Sequence, residues 1–271
     1  EYDIYSEVMK SHQRSSIGNE TIEEYMLRDY RKPKDFESFL YVSQLLQAHG
    51  ITIGIEAHRR NRDRCMGSLY WQINDCWPVA SWSSIDYYGT WKASQYAAKQ
   101  SFQNLLISTE NNNDNINFYI ISDTLQDLPS DLKVHLMDFH GNVVEQWEKQ
   151  LVVKANSSKQ YFTISKDLLL DHPDGQNMLL QAQLTSQENG KVISENLFYL
   201  APYKDLDLPK PQISYEVKER QDHFQVFIQT QNLAKNVFVS AGSALNFSDN
   251  YFDLLPNTSK MITVKKDGLA D

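Results

Sequence analysis

Amide, carboxylate and indole side chains alternate in one short stretch of the chain. The stretch reads Trp71-Gln72-Ile73-Asn74-Asp75-Cys76-Trp77-Pro78. The face of an aromatic ring can cover the C–H side of a sugar, while amide and carboxylate groups can bind its hydroxyls. The stretch therefore predicts a carbohydrate site. An aromatic edge of a protein core, with its polar groups satisfied locally, is equally compatible with this composition, and both interpretations stay open at this point.

The elements around this stretch have the order of a parallel α/β unit. A helix is predicted to begin with Asp35 as its N-cap and to continue with an apolar stripe toward His58. Met66–Trp71 is short, apolar and aromatic, which predicts a strand buried on both faces. An amphipathic helix is predicted over residues 91–99. In a closed (β/α) barrel, active sites lie at the C-terminal ends of strands, and Trp71–Trp77 would occupy that place.

From about Leu105 the pattern changes to strand-length apolar runs separated by turn signals. These runs are residues 116–121, 132–137, 151–153 and 178–184, with turns at 140–142 and 188–191. Such spacing predicts a β-sandwich of about a hundred residues. Pro202 to Pro211 is typical of a linker. Residues 212–271 then predict a second, smaller β unit, which is short for a complete sandwich.

Composition excludes several classes of partner. The chain has 271 residues and a net charge of −9, and the negative excess is concentrated after residue 105, which argues against nucleic-acid binding. No segment approaches the ~20 apolar residues of a membrane span. The first residues, Glu1-Tyr2-Asp3-Ile4, carry neither an initiator methionine nor a signal peptide. We therefore expect the chain to be a piece cut from a longer polypeptide.

Two further features lead to structural expectations. Residues 58–64 form a basic run interrupted by Asp63, and we interpret it as a solvated helix end from which one arginine can contact the barrel interior. Cys65 and Cys76 flank the predicted strand, too far apart for a disulfide if that strand is extended. We expect two free, buried thiols, no metal site and no cofactor.

Several long motifs resemble the retaining β-mannosidases of glycoside hydrolase family two, particularly those of Bacteroidetes. The central one is LYWQINDCWPVASWSSIDYYGTWKA. The others are SEVMKSHQRSSIGN, IEAHRRNRDRCMGSLYW and the run from Phe247 to Pro256. The resemblance covers nearly the whole chain and implies a mixed fold, the C-terminal part of a (β/α)8 barrel followed by two immunoglobulin-like β-sandwiches. In that scheme residues 1–104 belong to the barrel, 105–203 to the first sandwich and 204–271 to the second, which can be truncated.

The resemblance also implies a site and a location. Trp71 would end the eighth barrel strand and form the apolar floor of the −1 subsite. Asn74 or Asp75 would take sugar hydroxyls or orient the acid/base residue, unless they only cap a turn. Trp77 is assigned mainly to packing, with a place on the aglycone side. The implied substrate is a terminal β-D-mannose on an oligosaccharide or glycan, and a periplasmic or secreted location is favoured.

Both catalytic glutamates of such enzymes are absent from this sequence. The family's acid/base glutamate follows an asparagine, and its nucleophile lies in a Ser-Glu-Tyr/Phe-Gly motif. Asn19-Glu20 and Ser6-Glu7 are not in those settings, and Ser194-Glu195 belongs to a predicted sandwich strand. The resemblance places both catalytic residues before Glu1, so we expect the chain alone to be inactive.

Three alternatives remain compatible with the sequence. The chain could belong to another family-two enzyme, a β-galactosidase, β-glucuronidase or exo-β-glucosaminidase. The sandwiches could form a carbohydrate-binding module, for which a line of exposed aromatics on one sheet would be expected. They could instead have a structural role, including assembly of a homo-oligomer through a shared apolar patch.

Overall fold

The computed structural model describes residues 3–170, 172, 175–242 and 245–266. The ends of the first and third predicted domains, residues 1–2 and 267–271, thus lie outside the described residues. The helices are α1 Glu7–His12, α2 Gly18–Asp29, α3 Phe36–Arg60, α4 Ala93–Ser101 and α5 Lys166–Leu170. The strands of the first predicted sandwich are β1 Leu105–Asn111, β2 Asn115–Ser122, β3 Leu128–Asp138, β4 Val143–Val153, β5 Ser157–Ser165, β6 Met178–Ser186 and β7 Val192–Tyr199. The remaining strands are β8 Ile213–Glu219, β9 His223–Thr230, β10 Ala234–Val237, β11 Phe252–Leu254 and β12 Ser259–Lys265.

The described residues fall into two compact units. One comprises the described parts of Glu1–Thr52, Leu69–Lys99 and Lys210–Asp271, and the other comprises Ile53–Ser68 and Gln100–Pro209. Each is described by itself below. Among the described residues, no helix is long and apolar enough to cross a membrane.

The second unit contains a β-sandwich. A three-stranded sheet in the order β1-β2-β5 faces a four-stranded sheet in the order β4-β3-β6-β7, and all neighbours pair antiparallel. Alternate residues of β2 and β3, including Phe118, Ile120 and Val134, point into one fully buried core. The alternation predicted from the sequence is therefore confirmed as the inward face of a sandwich.

A smaller β structure in the first unit is built from β8 to β12. Its sheets have the orders β12-β9-β8 and β10-β11. The core between them contains Val226, Ile228, Phe252 and Ile262. The described residues from Leu105 onward are thus mostly β-sheet in two sandwich-like parts, as the sequence predicted.

The long helix α3 begins where its capping residue predicts. The Asp35 carboxylate accepts a hydrogen bond from the backbone N–H of Ser38 at 2.7 Å, which satisfies one of the free N–H groups of the first turn. Three basic residues, His58, Arg59 and Arg60, lie in its last turn, where they complement the helix dipole.

The basic run lies at a helix end, as predicted, and His58, Asn61, Asp63 and Arg64 are exposed, but its other three arginines are not solvated. Arg59 and Arg62 both form ion pairs with Asp123, at 2.6 and 2.9 Å. Arg60 donates to the Ser108 hydroxyl at 2.6 Å, and its side chain is only 12% exposed. Planar guanidinium groups can satisfy several sandwich acceptors at once, so these three arginines pack against β1 and the end of β2 instead of facing water.

The predicted strand at Met66–Trp71 is also not found. Within the described part of the chain, this segment has no strand partner, and Leu69 is fully exposed. A buried strand needs neighbours on both sides to pair its backbone groups. The two cysteines are free, as expected, but Cys65 is half-buried and Cys76 exposed, because the strand that would have buried them is not formed.

Candidate functional site

The polar residues after Trp71 are held by a short parallel ladder within the first unit. Backbone N–H groups of Ser84 and Ile85 donate to the carbonyls of Gln72 and Ile73, at 3.1 and 2.7 Å. The N–H of Asp75 donates back to the carbonyl of Ile85 at 3.2 Å. The ladder fixes the backbone of residues 72–75 although no regular strand is present.

Asp75 lies at the centre of a buried polar network. Its side chain is 2% exposed and accepts hydrogen bonds from the hydroxyls of Ser81, at 2.6 Å, and Ser83. The Lys92 ammonium lies 3.3 Å from Asp75 Oδ2 and donates to the Ser83 hydroxyl at 2.8 Å. Both carboxylate oxygens are thus occupied by groups of the protein. This arrangement suits Asp75 to hold the loop in place.

These contacts decide the ionisation of Asp75. Burial alone would raise the pKa of Asp75, but the hydrogen bonds from Ser81 and Ser83 and the charge of Lys92 outweigh it and hold the pKa below its ordinary value. The carboxylate is therefore charged at neutral pH.

Replacing Asp75 by asparagine should destabilise the chain in a pH-dependent way. Because the folded-state pKa is lower than that of the unfolded chain, ~3.9, the stabilisation is complete above that value and is lost as the pH falls through the folded-state pKa. The difference in melting temperature between wild type and Asp75→Asn should therefore be largest near pH 7 and shrink below about pH 4. Thermal unfolding followed by circular dichroism from pH 7 to pH 3 measures it.

Asp127 offers the control for this measurement. The pKa of Asp127 is also lowered, chiefly by its hydrogen bond from Lys154, but both side chains of that pair are about half exposed. Solvent screens such pairs, so Asp127→Asn should change the melting temperature much less. A difference for Asp75→Asn that stays constant from pH 7 to pH 3 would contradict the assignment.

Trp71 and Asn74 face solvent in this unit. Trp71 is 73% exposed, and its peptide bond to Gln72 is cis. Asn74 is exposed as well, with one hydrogen bond at 3.4 Å from its amide to the carbonyl of Asp75. The indole face and the Asn74 amide oxygen are therefore the groups of the predicted site that a ligand can reach.

Unlike Trp71, Trp77 has its ring covered by side chains of the N-terminal segment. Its indole is half-buried and stacks on the His12 imidazole, with ring centroids 5.6 Å apart and planes 16° from parallel. The Arg14 guanidinium lies over the same indole at 4.5 Å. The structure therefore buries Asp75 in a polar network, leaves Trp71 and Asn74 exposed, and places Trp77 in a separate contact with the N-terminal segment.

The sequence reasoning missed several residues that complete this loop. Lys92, Ser81 and Ser83 surround Asp75, and Tyr70 and Ser84 both interact with Gln95, with the Ser84 hydroxyl 2.6 Å from its amide oxygen. Small hydroxyl residues on both sides of Trp82, namely Ser81, Ser83 and Ser84, were the available signal. Hydroxyls clustered after a buried carboxylate are its usual donors.

An asparagine from the second β part also holds the loop. The Asn246 amide oxygen accepts from the backbone N–H of Trp91 at 2.8 Å, and its NH₂ donates to the carbonyl of Gly89 at 2.9 Å. Gly89 has a φ of +86°, a conformation that favours glycine. The turn before α4 is thus fixed from a residue far along the chain.

The chemical capacity of this loop is limited to binding and positioning. Asp75 is the one carboxylate between Trp71 and Trp82, and it is ion-paired. Hydrolysis of a glycoside with retention requires two carboxyl groups ~5–5.5 Å apart, and this loop supplies no such pair. No group of three or more His, Cys, Asp or Glu side chains that could hold a metal is found among the described residues.

Two family models match the β parts of the chain. Residues 114–205 match a mannosidase Ig/CBM-like domain, and residues 208–271 match an Ig-fold domain of mannosidases. Both matches agree with the observed sandwich-like sheets.

Curated relatives extend the similarity to nearly the whole chain. β-Mannosidase B of Aspergillus niger is 26% identical over 97% of this chain, and β-mannosidase of Capra hircus is 30% identical over 82%. The chain spans 33% and 27% of those two proteins, respectively, about a third or less of their length.

Solved structures give the same result. The β-D-mannosidase of Dictyoglomus thermophilum superimposes with a TM-score of 0.85 at 29% identity, over 95% of this chain and 31% of that one. The exo-chitosanase of Amycolatopsis orientalis shares the fold, with a TM-score of 0.71 at 17% identity over 94% of this chain and 35% of that one. Over nearly its whole length the chain therefore resembles a C-terminal portion of the β-mannosidases of glycoside hydrolase family two.

Proposed function

We propose that this chain is part of an exo-acting retaining β-mannosidase that removes terminal β-D-mannose from oligosaccharides or glycans. The observation that carries the proposal is the exposed indole of Trp71 at the head of a backbone ladder that fixes residues 72–75. An exposed apolar face followed three residues later by an accessible amide, Asn74, supplies the two kinds of group that bind a pyranose. The similarity to β-mannosidases supports mannoside over the other substrates of the family.

The proposal includes an architecture. Residues 1–104 contribute to a (β/α)8 catalytic barrel, 105–203 form an immunoglobulin-like sandwich, and 204–271 form the second, smaller one. In the longer protein, neighbouring barrel strands pair with Met66–Trp71 and cover Leu69, which is exposed in this chain. Trp71 then stands at the C-terminal end of the last strand, where barrel enzymes bind their substrates.

Catalysis in this scheme uses carboxyl groups supplied by residues that precede Glu1. One attacks the anomeric carbon, and the other protonates the leaving oxygen and later activates water. Trp71 forms the floor of the −1 subsite and supports the sugar as its ring distorts. Asn74 binds a hydroxyl, Asp75 positions the loop from behind, and Trp77 borders the aglycone side.

Turnover of an aryl β-mannoside tests the proposal. The full-length enzyme is expected to hydrolyse it, while this chain alone should show no turnover above background, because its candidate site holds a single, ion-paired carboxylate. Aryl β-galactoside, β-glucuronide and β-glucosaminide serve as comparison substrates. Robust hydrolysis by the chain alone, or a preference of the full-length enzyme for one of the comparison substrates, would contradict the proposal.

A further inference from the structure

Lys92 connects the loop after Trp71 to the helix that follows it. Its backbone N–H donates to the carbonyl of Ser84 at 2.9 Å. Its side chain reaches Asp75 and Ser83, and only 15% of that side chain is exposed. One residue thus contacts both arms of the ladder, through its main chain on one side and its ammonium group on the other.

The backbone at Lys92 is itself firmly held. The preceding residue, Trp91, donates its N–H to Asn246. The following residue, Ala93, begins α4 and donates its N–H to the Gln44 side chain at 3.2 Å. Gln44 lies on α3 and also accepts from the Tyr251 hydroxyl at 3.2 Å. The backbone around Lys92 is therefore held by hydrogen bonds on both sides, and the Lys92 ammonium forms an ion pair with Asp75.

We propose that Lys92 is a positioning residue for sugar binding: through its contacts with Asp75 and Ser83 it fixes residues 71–75 and so sets the place of the Trp71 indole against the substrate. This inference rests on the proposed function. Lys92 is not a catalytic residue, because its ammonium is largely buried and its contacts are with the protein. Asp75 is four residues from Trp71, and the ladder between them leaves little freedom, so a shift of Asp75 moves the indole.

The decisive experiment replaces Lys92 in the full-length enzyme. Lys92→Met removes the charge and keeps most of the length of the side chain, while Lys92→Arg keeps the charge. Rates on an aryl β-mannoside are divided by the number of active sites, counted with a mechanism-based inactivator. A role in folding alone would lower that number and leave the rate per site unchanged. The control is Lys99→Met on the same helix, since Lys99 donates to the carbonyl of Ser248 at 2.7 Å, away from Asp75.

Lys92→Met is expected to lower kcat/KM per active site about 10- to 100-fold, because small displacements of a positioning group have effects of this size. The loss should fall in kcat as well as KM, since the floor of the subsite supports the distorted sugar. Lys92→Arg should recover part of the loss, and Lys99→Met should stay within about twofold of wild type. A value for Lys92→Met within twofold of wild type overturns the inference.

A second variant and a second measurement keep the test independent of folding and of the proposed function. If Lys92→Met is insoluble, the double variant Asp75→Asn/Lys92→Met leaves no unpaired charge, and the same criterion applies to it.

In this chain, ¹⁹F NMR with 5-fluorotryptophan reports on Trp71, whose signal is identified by Trp71→Phe. The signal should move in Lys92→Met and not in Lys99→Met. If the full-length wild type has no β-mannosidase activity but the Trp71 signal still moves in Lys92→Met, the proposed function is refuted. The inference that Lys92 fixes the position of Trp71 then still stands.

Discussion

Replacing Trp71 by alanine in the full-length enzyme is expected to lower kcat/KM for an aryl β-mannoside roughly 100-fold. The indole is 73% exposed in this chain and is carried by a backbone fixed on its C-terminal side. An apolar face that is left open on a rigid support can stack on a sugar without being reorganised. Its removal leaves the pyranose without a floor, so the loss should be present in kcat and increase KM as well.

The matched control is Tyr215→Ala. Tyr215 is an aromatic residue of nearly the same exposure, 74%, on β8 of the second β part. The Tyr215→Ala substitution should leave kcat/KM within about twofold of wild type, since surface substitutions away from a site have small effects. Trp71→Phe should keep more activity than Trp71→Ala, because a smaller aromatic face remains. Equal activity of wild type and Trp71→Ala would refute the role of the indole.

The largest expected effect on stability comes from Phe118→Ala. Phe118 is completely buried in the sandwich core, and its ring centroid lies 6.0 Å from that of Phe162, its partner on β5. Truncating a buried phenylalanine removes transfer free energy and leaves a cavity, together about 3–5 kcal/mol. That is a large fraction of the 5–15 kcal/mol that typically stabilises a domain.

Denaturant unfolding of the chain followed by circular dichroism measures this effect. Phe102→Ala is the control, because Phe102 is 43% exposed and belongs to the same unit; its cost should be well below that of the buried site. Phe118→Leu should cost about 1.5 kcal/mol or less, because most of the volume is retained. A similar loss for Phe118→Ala and Phe102→Ala would show that the sandwich core is not where the structure places it.

Much of the fold was predictable because its signals are local. The alternation of apolar and polar residues along β2 and β3 follows from a strand with one buried face. Asp35 indicates the start of α3, because its carboxylate caps the N–H of Ser38, three residues later. The course of Met66–Trp71 was not predictable in this way. A strand is stabilised by its neighbours, and none pairs with this segment in the described residues.

The candidate site was partly predictable for the same reason. The residue types at Trp71, Asn74 and Asp75 indicate sugar chemistry, but their roles depend on distant partners. Lys92 is seventeen residues from Asp75 and has no pattern that links them. The basic run before Cys65 looked solvent-exposed because charge alone cannot tell a free guanidinium from one whose acceptors lie on strands far along the chain.

The hydrogen bonds of Asn246 to the turn at residues 89–91 have a consequence for synthesis. The anchor follows Trp91 by 155 residues, and a ribosome that adds about 5–20 residues per second needs roughly 8–30 s to make that length. During this interval the turn exists without the Asn246 amide that closes it. The loop therefore reaches its final shape only after translation of the C-terminal β part, so a product truncated before Asn246 would lack the contacts that fix residues 89–91 as well as that β part.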